Sequence, residues 1–286
     1  MRLLLAVLFA VSMVSLAGAV PVSERGLEAG VKDATAVIEK NPGDAHAYLK
    51  RAVVFYNYNR FSTALVDVKK ALELDPKSDT AHFLMGGIYQ SAGKYAEAAA
   101  SYARAIELNP KDFRYRFNRG EVLSAVKDYK GAITEYTKAI ELMPRDITSH
   151  YMRGSAYVEL KEYGKAIADF DAGLKIKPDS FNLHNARGWA LLWQGKWEDA
   201  KAAFDAALRV NPNHPYPYAN LANYYWAAKQ DKASALKNLK TAFEKGYDSF
   251  DGFYSDASDG HFLKGLNDMA EFKDLLEKYR PKAKAK

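Results

Sequence analysis

The chain has 286 residues and no cysteine, and 41 Lys and Arg outweigh 35 Asp and Glu to give a formal charge of +6. The missing cysteines exclude disulfides, thiolate metal sites, thiol nucleophiles and a lipid-modified N-terminal cysteine. Arg2 sits in a leader segment and Arg280, Lys282, Lys284 and Lys286 sit in a tail, so the body between them is close to neutral at +1 and argues against a nucleic-acid partner.

At the N-terminus, Arg2 precedes the apolar stretch Leu3 to Leu16 and then Ala17, Gly18 and Ala19. This is the pattern of a secretory signal peptide over residues 1–19, with the mature chain starting at Val20. The apolar run is shorter than the ~20 residues needed to cross a bilayer, which argues against an uncleaved anchor. No other segment is apolar enough, so the expected product is exported, periplasmic or secreted, without a transmembrane segment in the mature chain. Residues 20–44 come next and supply a lone capping helix, Ser23 to Lys40.

From Pro42 a proline recurs at Pro76, Pro110, Pro144, Pro178 and Pro212, each 34 residues after the last. A fixed period of this length marks one supersecondary unit stacked on copies of itself. Between prolines lie two stretches of helical periodicity and a short polar turn, as in Phe83 to Ser91, Ala92-Gly93-Lys94, then Tyr95 to Leu108. The six helical hairpins expected are 45–78, 79–112, 113–146, 147–180, 181–214 and 215–246. Each proline ends a second helix, because it lacks an N–H and restricts the residue before it.

Small residues keep phase at Ala52, Gly86, Gly120, Gly154, Gly188 and Ala222 in the first helices and at Ala64, Ala98, Ala132, Ala166 and Ala200 in the second. Large ones keep phase at Phe61, Tyr95, Tyr129, Tyr163 and Trp197, and at Tyr102, Tyr136, Phe170 and Phe204. Small side chains let two helices approach and the aromatics fill the space around the crossing. The sixth unit departs from the pattern: an extra residue falls in the turn Asp231 to Ala235, and Gly246 stands near the place of the next proline. Residues 247–279 are expected to cap the solenoid, with Met269, Phe272, Leu275, Leu276 and Tyr279 on one helical face, and residues 280–286 form a basic tail.

Gly86, Tyr89, Ala98, Tyr102, Ala105 and Pro110 in one unit, echoed by its neighbours, resemble the tetratricopeptide repeat pattern over about Ala45 to Gly246. That resemblance implies an all-α fold, a right-handed superhelix of antiparallel helix pairs whose first helices line the concave face. It also implies binding of a peptide segment or another protein, rarely catalysis. The segment after Gly246 resembles the end-cap of many bacterial chains of this family.

Arginine precedes the small residue of the first helix at Arg51, Arg119, Arg153 and Arg187. Sixteen residues later stand Asp67, Glu135 and Asp169 in three of these units, which points to intra-repeat ion pairs. Arg187 faces Ala203 instead. Two readings of it stand: a pair with Asp199 or Asp205, or an arginine left for a ligand.

A second stripe of the first helices lies three before, one after, and four or five after the small residue. Three before, it carries Leu49, Phe83, Phe117, Tyr151 and Asn185; one after, it includes Glu121, Trp189 and Asn223; further on stand Tyr56, Gln90, Leu192, Trp193 and Trp226. These side chains either anchor a partner in a groove or pack on their neighbours in a tight superhelix. Chaperone-docking members of the family hold a terminal carboxylate with lysines on this face; Leu49, Phe83, Phe117 and Tyr151 stand in those places.

His82, His150 and His184 share one phase, but equivalent residues of successive repeats lie too far apart to share an ion, so no metal site is expected. The loop Asp256 to Gly260 has a calcium-like look but fails the EF-hand spacing at Ser255, Ala257 and Leu266. No phosphate loop, G-x-S-x-G elbow or H-E-x-x-H occurs, and no cofactor is expected. The expected function is therefore a non-enzymatic, exported scaffold that binds a protein or peptide in its groove and assists assembly of an envelope or secreted complex. The alternative is a binder of envelope polysaccharide or peptidoglycan through Trp189, Trp193 and Trp226.

Overall fold

The computed structural model describes residues 24–248, 265–266 and 269–279. The leader segment 1–19, the loop 256–260, most of the stretch from Tyr247 to Leu266 and the tail 280–286 lie outside the described residues. Among the described residues there are fourteen helices and no strand. They are α1 Glu24–Lys40, α2 Ala45–Asn57, α3 Phe61–Leu74, α4 Asp79–Ser91, α5 Tyr95–Leu108, α6 Phe113–Ala125, α7 Tyr129–Leu142, α8 Ile147–Glu159, α9 Tyr163–Ile176, α10 Phe181–Trp193, α11 Trp197–Val210, α12 Pro215–Lys229, α13 Lys232–Glu244 and α14 Ala270–Tyr279. The chain divides between Ala156 and Tyr157, inside α8, into two compact units.

In the first unit α2/α3, α4/α5 and α6/α7 form hairpins, and α3 also packs on α4 and α5 on α6. α1 packs on α2. The local reasons repeat with the sequence. Two residues after each proline, Asp44, Ser78, Asp112 and Asp146 accept hydrogen bonds from backbone N–H groups of the helix that starts there, satisfying donors that no helical carbonyl reaches. The hairpin turn needs one residue with left-handed backbone, supplied by Asn59, Gly93 and Lys127 at φ between 59° and 72°. Glycine occupies only one of these three places, so non-glycine residues bear the strain at the others.

The small residues are small because of the aromatics. A Cβ added at Gly86 would stand 2.5 Å from the Tyr102 ring, and one at Gly120 would stand 2.6 Å from Tyr136. Tyr102 and Tyr136 are fully buried, so neither ring has room to retreat. In the second unit the same contact recurs, with a Cβ at Gly188 falling 2.5 Å from Phe204.

The second unit holds the hairpins α10/α11 and α12/α13, with α9 packed on α10 and α11 on α12. Lys161, Gly195 and Gln230 are its left-handed turn residues. The sixth hairpin corrects one expectation: the extra residue does not lengthen the turn. α12 runs two residues further than its counterparts, and the turn shrinks from three residues to Gln230 and Asp231. The Gln230 side chain donates to the Trp226 carbonyl at 2.9 Å, closing that longer end. Beyond it, α14 buries Phe272 and Leu276 against Leu239, Phe243, Tyr247 and Leu266, while Lys232 and Glu271 pair at 2.6 Å on the rim. The last hairpin thereby hides its apolar side.

Candidate functional site

The first unit carries Leu49, Tyr56, Phe83, Phe117, Glu121 and Tyr151 of the expected groove. Leu49, Tyr56, Phe83, Phe117 and Tyr151 are each half-buried. Their inner edges serve the core. Phe83 lies 4.8 Å from the Tyr115 ring and 5.6 Å from Tyr102, Phe117 lies 5.8 Å from Tyr136, and Tyr56 lies 5.8 Å from Phe61. These residues pack on neighbours and still show surface. No cation stands three before the small residue on α2, α4, α6 or α8.

Polar groups line the same stripe. Tyr56 Oη lies 3.2 Å from Ser91 Oγ, Tyr102 Oη donates to Gln90 Oε1 at 2.7 Å, and Tyr136 Oη lies 3.4 Å from Ser124 Oγ. Glu121 is only 7% exposed. Burial raises its carboxyl to about 8, against a hydrogen bond with Gln90 that favours the charged form. Tyr102 and Tyr136 are pushed upward by burial first, Tyr136 next by the nearby Glu121 and Tyr102 by Tyr56 and then Glu121.

The second unit carries Asn185, Trp189, Trp193, Asn223 and Trp226. Asn185 Oδ1 accepts from Asn220 at 3.0 Å, a contact between successive first helices. Trp189 and Trp193 meet edge to face at 5.9 Å, and Trp193 stacks on Tyr163 at 6.0 Å. Both rings are half-buried, as is Asn223, while Leu192 is fully buried. Trp226 does not belong to the open face. It is 9% exposed and packs in one cluster with Ala222, Leu239 and Leu266. A shallow, open cleft of about 340 Å³ lies elsewhere, at the turn end of α11 and α12 between Trp197, Glu198 and Lys229.

The arginines are structural. Arg51 binds Asp67 through two bonds of 2.8 and 2.7 Å and also reaches Thr35 at 3.1 Å. Arg119 and Arg116 both pair with Glu135, at 2.5 and 3.2 Å. Hydrogen bonding to Asp67 raises the already high pKa of Arg51, although burial works against it. Neither sequence reading of Arg187 holds: it donates to Asp171, 2.6 Å away and sixteen residues before it. Arg153 bonds Thr137, also sixteen before. α2, α4, α6 and α10 each pack on the helix before and the helix after, so the same arginine position can face a partner in either direction.

The histidine ladder is also structural. His150 Nε2 lies 3.1 Å from the Pro144 carbonyl and His184 Nε2 lies 2.7 Å from that of Pro178, six residues back in each case. Burial lowers the His82 pKa, against a hydrogen bond to the Pro76 carbonyl. In the sixth unit Tyr218 Oη takes the role, donating to the Pro212 carbonyl at 3.0 Å. Among the described residues no group of three His, Asp or Glu side chains is placed to hold a metal ion. No described helix is long and apolar enough to cross a membrane.

Asp79 was not singled out by the sequence, yet it ties two repeats together. Its Oδ2 accepts from Asn109 Nδ2 and from Tyr115 Oη, each at 2.9 Å. Burial pushes its carboxyl up, but these hydrogen bonds outweigh that and hold it below the usual range.

Family models described as tetratricopeptide repeat match residues 83–147, 147–180 and 181–214. No curated protein sequence matches the chain. Among solved structures, YrrB, titled a TPR protein with an unusual peptide-binding site, is 24% identical with a TM-score of 0.59, covering 65% of this chain and 96% of its own. MamA is 22% identical with a TM-score of 0.56, covering 59% of this chain and 92% of its own. PilF of Pseudomonas aeruginosa is 17% identical with a TM-score of 0.58, covering 87% of this chain and 99% of its own. At these identities the likeness speaks to fold, and the fold is the all-α tetratricopeptide solenoid that the repeat pattern implies.

Proposed function

We propose, for a chain carrying tetratricopeptide repeats over residues 83–214, that it is a non-enzymatic scaffold holding a protein or peptide segment on the stripe of its first helices. The observation that carries this reading is the row Leu49, Phe83, Phe117 and Tyr151 on successive first helices of the first unit, each half-buried. Apolar side chains with exposed edges on rigid helices are suited to anchor a segment, and the polar groups of Tyr56, Gln90 and Ser91 beside them can meet its backbone. A row without lysine does not suit a free terminal carboxylate, so the segment is internal or offers apolar anchors. Export to the envelope and service in assembling a complex there complete the proposal, on the strength of the leader pattern of residues 1–19.

The test is capture from an envelope extract with the wild type and with a Phe117→Ala, Trp189→Ala pair whose helicity and melting are checked by circular dichroism. A stoichiometric protein retained by the wild type and lost by the pair is the expected result; full retention by the pair refutes the stripe. The polysaccharide reading keeps Trp189 and Trp193 but loses Trp226 to the core. Retention of the purified protein on isolated cell-wall material, with no other protein present, would favour it. Export is checked by the mature N-terminus: Val20 is expected, and an intact Met1 in a cytoplasmic fraction overturns it.

A further inference from the structure

Val53, Gly87, Glu121 and Ser155 occupy equivalent places on α2, α4, α6 and α8, one residue after the small contact position. Gly87 leaves a recess in this row. A Cβ there would meet Tyr56 Oη at 3.6 Å and Tyr102 Oη at 3.7 Å, ordinary contact distances, so the space would hold a methyl group that the sequence does not provide. Gln90, one turn along α4 from Gly87, accepts a hydrogen bond from the Tyr102 hydroxyl and also hydrogen-bonds Glu121 on α6.

Glu121 is the unfinished part of this network. Its Oε2 is buried and has no hydrogen-bond partner. The arginines of α6 and α8 bond other groups: Arg116 and Arg119 pair with Glu135 on α7, Arg114 with Asp112, and Arg153 bonds Thr137. The other ionisable groups facing it are the phenols of Tyr102 on α5 and Tyr136 on α7, which burial keeps neutral. A buried carboxyl oxygen without a donor is a standing free-energy cost that a partner's donor would remove.

We propose that Glu121 is the anchor for a lysine or arginine side chain of the segment bound across α4 and α6, entering by the recess at Gly87. The inference rests on the stripe being the binding face. A cation is the fitting occupant because a carboxylate in apolar surroundings gains most from a full opposite charge, and the aliphatic stem of lysine or arginine matches the aromatic edges of Phe83 and Phe117. Binding and ionisation are then linked: the free protein keeps Glu121 largely neutral at pH 7, and the bound cation draws it into the carboxylate form.

The full chain, labelled with carbon-13 at glutamate side chains, provides the test, with the Glu121 signal assigned by its loss in Glu121→Gln. Its titration midpoint is followed alone, with n-butylammonium chloride as a lysine mimic, with ethylguanidinium chloride as an arginine mimic, and with n-butanol and potassium chloride as neutral and ionic controls. The expected result is a midpoint near 8 in the free protein, lowered by about one unit or more with one of the organic cations and unmoved by both controls. An unmoved midpoint, or an equal shift with n-butanol, overturns the anchor. A partner captured by the stripe supplies the second arm: Glu121→Gln should weaken it about tenfold or more, the scale of a desolvated charge pair. Equal binding by Glu121→Gln together with loss in the Phe117→Ala, Trp189→Ala pair overturns the anchor and leaves the stripe standing.

Discussion

Glu121→Gln is expected to make the protein more stable at neutral and alkaline pH while leaving it almost unchanged in mild acid. Burial raises this carboxyl in the folded state from 4.5 to about 8. For a group raised on folding, the neutral form is favoured, so its contribution to stability is complete below pH 4.5 and is lost as the pH climbs toward 8. Each unit of that range is worth about 1.4 kcal/mol, so roughly 4 kcal/mol disappears between pH 5 and pH 8. Glutamine keeps the shape of the protonated acid and cannot ionise, which removes the slope. The variant should match the wild type within about 1 kcal/mol at pH 5 and exceed it by about 3–4 kcal/mol at pH 8. Urea unfolding followed by circular dichroism at pH 5, 6.5 and 8 measures this, and the wild-type-minus-variant difference cancels groups common to both, such as the depressed Asp79. Hydrogen exchange localises the effect, since repeats open piecewise and the gain should concentrate in α4 to α7. Two stability curves that run parallel across this range would show that Glu121 is already ionised in the fold, and the argument from burial would fail.

Lys127 holds a left-handed turn at φ 65°, so Lys127→Gly should raise stability by about 0.5–1 kcal/mol in the same unfolding assay, and a loss would mean the side chain has a role there. Gly120→Ala should cost about 2–3 kcal/mol, because the new Cβ would lie 2.6 Å from the fully buried Tyr136 ring; a silent substitution would show that the ring can move. Arg51→Met should cost about 3 kcal/mol by stranding the Asp67 carboxylate, whose side chain is 5% exposed. Arg187→Met should cost less than about 1 kcal/mol, since its pair with Asp171 is open to water at 30% and 42%. Reversal of that order would show that burial does not rank these pairs.

Much of the fold was legible from Pro42, Pro76 and their successors, because a proline stops a helix by local sterics wherever it sits. The glycine positions were legible too: a repeated small residue facing a repeated aromatic is a pairwise contact that recurs with the period, as Gly120 and Tyr136 do. The Arg187 partner was missed because comparison within one hairpin looks only sixteen residues forward, whereas the helix also touches the hairpin before it. The shared phase of His82, His150 and His184 was legible, but only the backbone geometry reveals that a proline carbonyl six residues back meets the ring of His150 and of His184.

Periodicity by itself determined the all-helical fold, since it depends on spacing along one helix and across one turn. The tertiary structure decided which members of the first-helix stripe remain open. Trp226 and Phe117 look alike in the sequence, but Trp226 is buried among Ala222, Leu239 and Leu266 whereas Phe117 is half-buried. Glu121 looks like a surface acid, but neighbouring helices bury it without a cation. Exposure and charge compensation are sums over every element packed around a residue, and a spacing rule reports on only one of them.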